Sequence, residues 1–74
     1  MVKIRQLEYL VSIVDTSSFG QAALATNASQ PTLSQQMRVL EEELGVRLLE
    51  RRSGGVVPTP VGRAVVERAR TILR

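Results

Sequence analysis

The chain has 74 residues, of which 43% are hydrophobic and 23% are charged, and its formal net charge is +3. This length is enough for one small domain and excludes a two-domain enzyme with a substrate cleft. Cysteine and histidine are both absent, which excludes disulfides, zinc fingers, Cys or Ser-His nucleophile systems and the commonest metal ligands. We therefore expect a folded binding domain that is not an enzyme and holds no cofactor or metal.

The sequence has no feature of a membrane or exported protein. No apolar run is long enough to cross a bilayer, and the charged N-terminus lacks the apolar core of a signal peptide. We therefore expect a cytoplasmic protein with no membrane partner.

The charge is distributed unevenly along the chain. Residues 1–44 sum to −2, with three cations against five acids, whereas residues 45–74 sum to +5, with seven cations against two acids. All seven of these cations are arginine, a residue well suited to phosphate recognition. The distribution favours an anionic polymer as the partner, but solvated helix and loop charges would give the same count.

Hydrophobic spacing predicts two helices at the start of the chain. From Ile4 to Val14, apolar residues recur at intervals of three or four, which predicts a first helix over about 4–15. Ser18, followed three residues later by Gln21, has the pattern of a capping box and predicts the start of a second, shorter helix. The alanines of this second helix permit the close approach of another helix, as a tight helix-turn-helix requires.

A third helix is predicted over about 29–44, with a serine cap, a proline in its first turn and Gly45 as its C-terminal cap. Its predicted buried stripe is Leu33, Met37, Leu40 and Leu44. The opposite face is polar and almost free of acidic residues, and consists of Gln30, Pro31, Thr32, Ser34, Gln35 and Arg38. This face offers both hydrogen-bond donors and acceptors to a ligand.

After Gly45 the helical spacing is lost, and residues of about 49–58 are predicted to form a β-hairpin around the turn Ser53-Gly54-Gly55. The two glycines predict a flexible tip. Thr59 and Pro60 then predict the start of a fourth helix that continues to the end of the chain. No cap or helix breaker follows, so we expect the chain to be the N-terminal piece of a longer protein.

The fourth helix has a broad apolar arc, wider than one small domain can easily cover. We therefore expect this helix to pair with a second copy of the chain. The candidate pairing residues are Val61, Val65, Ala69 and Ile72.

Three helices, a hairpin and a further helix form the order of a winged helix-turn-helix. We therefore predict a mainly α fold with a DNA-binding domain over 1–58 and the start of a linker helix over 59–74. In this plan the third helix, about 29–44, enters the major groove of duplex DNA. The hairpin, or wing, of about 49–58 reaches the adjacent backbone or minor groove.

Several motifs also resemble those of one family. These motifs are Phe19-x-x-Ala22-Ala23, then Ser29-Gln30-Pro31-Thr32-Leu33-Ser34, Leu40-Glu41-x-x-Leu44-Gly45-x-x-Leu48-Leu49-x-Arg51 and Thr59-x-x-Gly62. Together they resemble the DNA-binding domain of LysR-type transcriptional regulators, without gaps and over nearly all of the chain. The resemblance implies a bacterial regulator that binds dyad-related half-sites as a homodimer and is usually tetrameric at full length. It also implies a further C-terminal domain that binds a small-molecule effector.

The resemblance assigns roles to individual side chains. Gln30, Pro31 and Gln35 correspond to positions that contact bases. The expected backbone contacts are Ser29, Thr32, Ser34, Arg38, Arg51 and Arg52. The chemistry agrees independently, because glutamine can bond to two atoms of adenine, a proline ring can pack on a thymine methyl, and hydroxyls and arginines hold phosphates.

Two positions on the expected DNA-binding surface depart from the family pattern. Gln35 stands where the family often has arginine, which weakens the expectation of a guanine contact. Gly54 stands where a wing-tip arginine is frequent, which leaves Arg51 and Arg52 as the cations of the wing. Arg52 is therefore the nearest candidate to enter a narrow minor groove.

Two alternatives remain open from the sequence alone. Arg51 can either contact DNA or form an ion pair with Glu41 or Glu42 near the end of the third helix. The whole domain can also be a winged-helix protein-interaction module without DNA binding, for which an acidic or apolar third helix would be expected. The polar and basic third helix favours DNA.

Overall fold

Four helices and one β-hairpin make up the structure, a computed structural model that describes residues 1–74. The elements in chain order are α1 (Ile4–Thr16), α2 (Phe19–Thr26), α3 (Gln30–Leu44), β1 (Leu49–Arg52), β2 (Gly55–Pro58) and α4 (Pro60–Leu73). The predicted winged helix-turn-helix is confirmed. No helix is long and apolar enough to cross a membrane.

The hydrophobic core lies between α1, α2 and α3 and is completed by the wing and by α4. The largest fully buried side chains are Leu10, Ile13, Leu33, Leu40 and Leu48. Val56 of β2 and Val66 of α4 belong to the same cluster. Because α4 contributes to this core, its inner face is fixed to the helix-turn-helix.

One predicted core position is wrong. Leu33, Met37 and Leu40 are buried as expected, but Leu44 is 41% exposed. Leu44 is the last residue of α3, and Gly45 follows it in the left-handed conformation with φ 71°. The helical spacing therefore continues one turn beyond the point where the core ends.

Local hydrogen bonds define the turn between α2 and α3. Asn27 adopts the left-handed conformation with φ 58°. Its N–H donates to Leu24 and the N–H of Ala28 donates to Ala23, which is the bonding pattern of a Schellman motif. The hydroxyl of Ser29 then accepts from the N–H of Thr32 at 3.1 Å and caps α3. These bonds fix the direction in which α3 leaves the turn.

The wing has a shorter loop than predicted and is attached to α1. β1 and β2 are antiparallel, and Gly55 pairs with Arg52, so only Ser53 and Gly54 form the loop. The N–H of Val56 donates to the carbonyl of Ser17, directly after α1, at 3.0 Å. A Cβ atom on Gly55, which has φ 133°, would lie 2.6 Å from that carbonyl oxygen. Glycine is therefore required where β2 meets the end of α1.

An ion pair joins α4 to α1. The guanidinium of Arg70 donates two hydrogen bonds, of 2.7 and 3.3 Å, to the carboxylate of Asp15. These bonds, opposed only in part by desolvation, lower the pKa of Asp15 below its ordinary value. The bidentate geometry reinforces the packing of the inner face of α4 on α1.

Candidate nucleic-acid interface

The outer face of α3 presents polar side chains that the protein itself does not use. Gln30, Pro31, Gln35 and Arg38 are exposed and Ser34 is half-buried. Spacings of three, four and seven residues place Pro31, Ser34 and Arg38 on one face of the helix, opposite the buried leucines. No carboxylate forms an ion pair with Arg38. The donors and acceptors of this face are therefore free to contact a ligand.

Ser29 and Thr32 are coupled to each other at the start of α3. The Ser29 hydroxyl donates to the Thr32 hydroxyl oxygen at 2.8 Å while it accepts from the Thr32 backbone N–H. The two hydroxyls therefore hold each other in place at the exposed N-terminus of α3.

The structure excludes one of the two alternatives for Arg51, the ion pair with Glu41 or Glu42. Its guanidinium lies over the ring of Phe19, the first residue of α2, at 4.4 Å from the ring centroid. Neither of the candidate glutamates pairs with it. The stacking holds the guanidinium in place without neutralising its positive charge, and Arg51 remains exposed. Phe19 was singled out from the sequence only as part of the family motif, and no sequence pattern indicated that it supports an arginine.

Arg51 borders two grooves beside the wing. One groove lies between the wing and α3, and its lining includes Ser34 and Arg38. The other lies between the wing and the start of α2, and its lining includes Gln30 and Arg52. The structure therefore brings these five predicted site residues together around the wing, whereas Ser29, Pro31, Thr32 and Gln35 line neither groove.

The arginine excess of the second half is partly neutralised. Nε of Arg47 lies 3.6 Å from a carboxylate oxygen of Glu41, and a terminal guanidinium nitrogen of Arg52 lies 2.9 Å from a carboxylate oxygen of Glu50. Arg70 forms an ion pair with Asp15. Arg51, Arg63, Arg68 and Arg74 have no carboxylate partner. Fewer cations are therefore available to phosphates than the charge count indicated.

Glu41 is a functional candidate that the sequence analysis missed. One of its carboxylate oxygens accepts from the N–H groups of Leu48 and Leu49 at 2.7 and 3.1 Å. It is the first of three consecutive glutamates and the only one of them that the family motif includes, but neither the motif nor the composition indicates that it bonds to the backbone of the next segment. Only the fold reveals that this one side chain turns inward.

The predicted pairing face of α4 needs one correction. Val61 and Ile72 are 46% and 57% exposed, and Val65 is half-buried against the core. Ala69, in contrast, is only 1% exposed. It lies on the inner face with Gly62 and Val66 and is not available to a second copy.

Comparison with known proteins identifies the family. Residues 4–63 match the family of bacterial regulatory helix-turn-helix proteins named lysR. The hydrogen peroxide-inducible genes activator of Pectobacterium carotovorum subsp. carotovorum is 53% identical over 73 residues, which are 99% of this chain and 24% of that protein. The DNA-binding transcriptional dual regulator OxyR of Escherichia coli K12 is 52% identical over the same shares. The chain therefore spans about a quarter of the length of these curated relatives.

Solved structures agree in fold. The complex of the CbnR DNA-binding domain with DNA has a TM-score of 0.92 and 40% identity, and the match covers 97% of this chain and 83% of that one. The complex of the BenM DNA-binding domain with a benA site has a TM-score of 0.92 and 43% identity over 97% and 81% of the two chains. This chain belongs to the LysR family of bacterial regulators and is a helix-turn-helix DNA-binding domain of that family.

Proposed function

We propose that this domain binds duplex DNA through base contacts from Gln30, Pro31 and Gln35, with α3 in the major groove. The observation that carries the proposal is the exposed outer face of α3, whose polar groups have no use within the protein. The only side-chain hydrogen bonds at the start of α3 are those of Ser29 and Thr32. The CbnR and BenM domains, which share the fold, were solved as DNA complexes.

The chemistry of this face favours A·T pairs. The amide of glutamine accepts from N6 and donates to N7 of adenine, so Gln30 and Gln35 suit that base. The ring of Pro31 is apolar and exposed and suits the methyl group of thymine. No arginine stands among the three base-contacting positions, so guanine is not the expected target of this helix.

The remaining polar groups are assigned to the DNA backbone. Thr32 and Ser34 offer hydroxyls, while Arg38 and Arg51 offer charges with no competing carboxylate. Arg52 contributes less to phosphate binding because its ion pair with Glu50 partly neutralises its charge. Such contacts orient α3 in the groove without distinguishing sequences.

The outer face of α4 is assigned to a second copy of the chain. Val61 and Ile72 are exposed on one side of the helix, with Val65 beside them. Burying these apolar side chains against a second copy would remove them from water and stabilise the pair. Pairing would place two copies of α3 on dyad-related half-sites. Tetramers and a small-molecule effector belong, in this proposal, to the part of the relatives that the chain does not span.

The proposal is tested by selection of bound sequences from a random duplex pool. We expect an enriched, A·T-containing half-site that occurs twice with dyad symmetry. Affinity for the selected duplex should fall steeply between about 50 and 200 mM salt, because several phosphates are contacted. A pool without enrichment, together with an affinity that does not change with salt, would contradict the proposal.

Pairing is tested separately by an Ile72→Asp variant. This change places a charge on the proposed pairing face and should abolish cooperative binding of two molecules to the selected site. Thr71→Asp adds the same charge at an exposed position off that face and is the matched control. The affinity for a single half-site should be the same in both variants and the wild type. Equal cooperativity of all three proteins on the selected site would contradict pairing through α4.

A further inference from the structure

The segment Arg47–Leu49 connects α3 to the wing, and we call it the junction. From the side of α3, one oxygen of Glu41 accepts from the N–H groups of Leu48 and Leu49. The guanidinium of Arg47 lies 3.6 Å from the same oxygen. The Glu41 side chain is only 18% exposed, so these hydrogen bonds are partly shielded from competing water.

The start of α4 holds the junction from its other side. The N–H of Thr59 donates to the carbonyl of Leu48 at 2.9 Å, and the Thr59 hydroxyl donates to the carbonyl of Arg47 at 2.7 Å. The same hydroxyl accepts from the N–H of Gly62 and caps α4. A Cβ atom on Gly62 would lie 2.0 Å from the carbonyl oxygen of Leu48. The two elements are therefore in direct backbone contact.

Leu48 is thus held by two different helices. Its N–H donates to the carboxylate of Glu41 in α3, and its carbonyl accepts from the N–H of Thr59, which caps α4. Its own side chain is fully buried. Such a connection couples the orientation of the two helices, because the Leu48 carbonyl, bonded to Thr59, and the Leu49 N–H, bonded to Glu41, belong to one planar peptide group.

We propose that Glu41 is a positioning residue that fixes the direction of α4 relative to α3 and thereby sets the half-site spacing that a dimer accepts. The proposal rests on the proposed function, in which α3 contacts bases and α4 pairs two copies. Glu41 acts through the junction and does not itself contact DNA.

Geometry explains why a small change at the junction matters. Gln30 precedes Glu41 by eleven residues, which is roughly 16 Å along the axis of α3. A rotation of about 12° at the junction would therefore displace the base-contacting turn by about 3.4 Å, the rise of one base pair. Loss of the Glu41 bonds should accordingly let the dimer accept neighbouring spacings.

The test uses the selected duplex with its half-sites moved apart or together by single base pairs. The wild type should prefer one spacing by about tenfold or more, since a wrong spacing removes simultaneous engagement. Glu41→Ala should reduce this preference to about threefold or less, while its affinity for an isolated half-site is retained. Glu41→Gln keeps an acceptor at the same position and should restore the preference.

Glu42→Ala is the matched control, because it removes the same charge from an exposed neighbour that forms no ion pair. Both alanine variants relieve repulsion from phosphates, but only Glu41→Ala should broaden the spacing. If Glu41→Ala does not fold, Thr59→Val removes the hydroxyl bond to the carbonyl of Arg47 on the other side of the junction and should broaden the spacing in the same way.

Wild-type spacing preference in the folded Glu41→Ala variant, or in Thr59→Val where that variant replaces it, would overturn this inference alone. A wild-type protein that binds half-sites without any spacing preference would overturn the proposed pairing, and this inference with it.

Discussion

The outer face of α3 and the wing border the same grooves but are built differently. The candidates on α3 stand on a regular helix, and Gln30, Gln35 and Arg38 are exposed without a fixing partner. The wing is held by specific contacts: Arg51 on Phe19, Arg52 on Glu50, and β2 on Ser17. A rigid backbone with free side chains suits base recognition, whereas a pre-positioned charge suits the uniform backbone of DNA.

The contrast is tested most strongly by the attachment of the wing. Gly55→Ala places a methyl group 2.6 Å from the carbonyl oxygen of Ser17, on a residue with φ 133°. We expect a loss of about 2–3 kcal/mol in the free energy of unfolding, measured with urea. Gly54→Ala is the control, because that position is open and lacks a left-handed φ. Equal stability of both variants would mean that the wing is not attached as described.

A second test compares the two cations of the wing. Arg51→Ala should weaken binding to all duplexes by about tenfold at low salt and reduce the salt slope by about one, because a positioned phosphate contact is lost. Arg52→Ala should have a smaller effect, since Glu50 already shares the Arg52 charge. Titrations on sites with A·T-rich and G·C-rich flanks measure both variants. If Arg52→Ala changes neither titration, the wing does not insert Arg52 into the minor groove.

The smallest expected effect is a gain. Gly54→Arg adds a cation at the open tip of the wing, where no neighbouring atom lies within 4 Å of the new Cβ atom. Binding should tighten by about threefold, with a preference for A·T-rich flanks where the minor groove is narrow. Unchanged affinity on both flanks at low salt would place the wing tip away from the DNA.

Much of the fold could be predicted from local signals. Ser29 before a proline and Gly45 after an apolar stripe define the limits of α3, because caps act over only a few residues. The same locality explains the prediction for Leu44, whose spacing fits the stripe although the core has already ended. Periodicity reports which side of a helix is apolar but does not report how far the neighbouring elements extend.

The missed parts of the site depend on contacts between residues distant in the chain. Phe19 supports Arg51, and Ser17 receives β2, only because the wing folds back onto α2 and the end of α1. Ala69 lies in the apolar arc of α4, part of which packs on the core while the rest is exposed. The spacing of apolar residues does not show which of them pack inward. Such assignments require the three-dimensional packing.

The central claim, that free side chains on α3 distinguish bases, is tested most directly by comparing Gln30→Ala with Arg38→Ala. Affinity is measured for the selected duplex and for each single-base change within one half-site. Gln30→Ala should lose about 1–3 kcal/mol of discrimination at one base pair, whereas Arg38→Ala should weaken all duplexes alike. A Gln30→Ala variant that keeps the full base preference and binds every duplex more weakly by the same factor would contradict the claim.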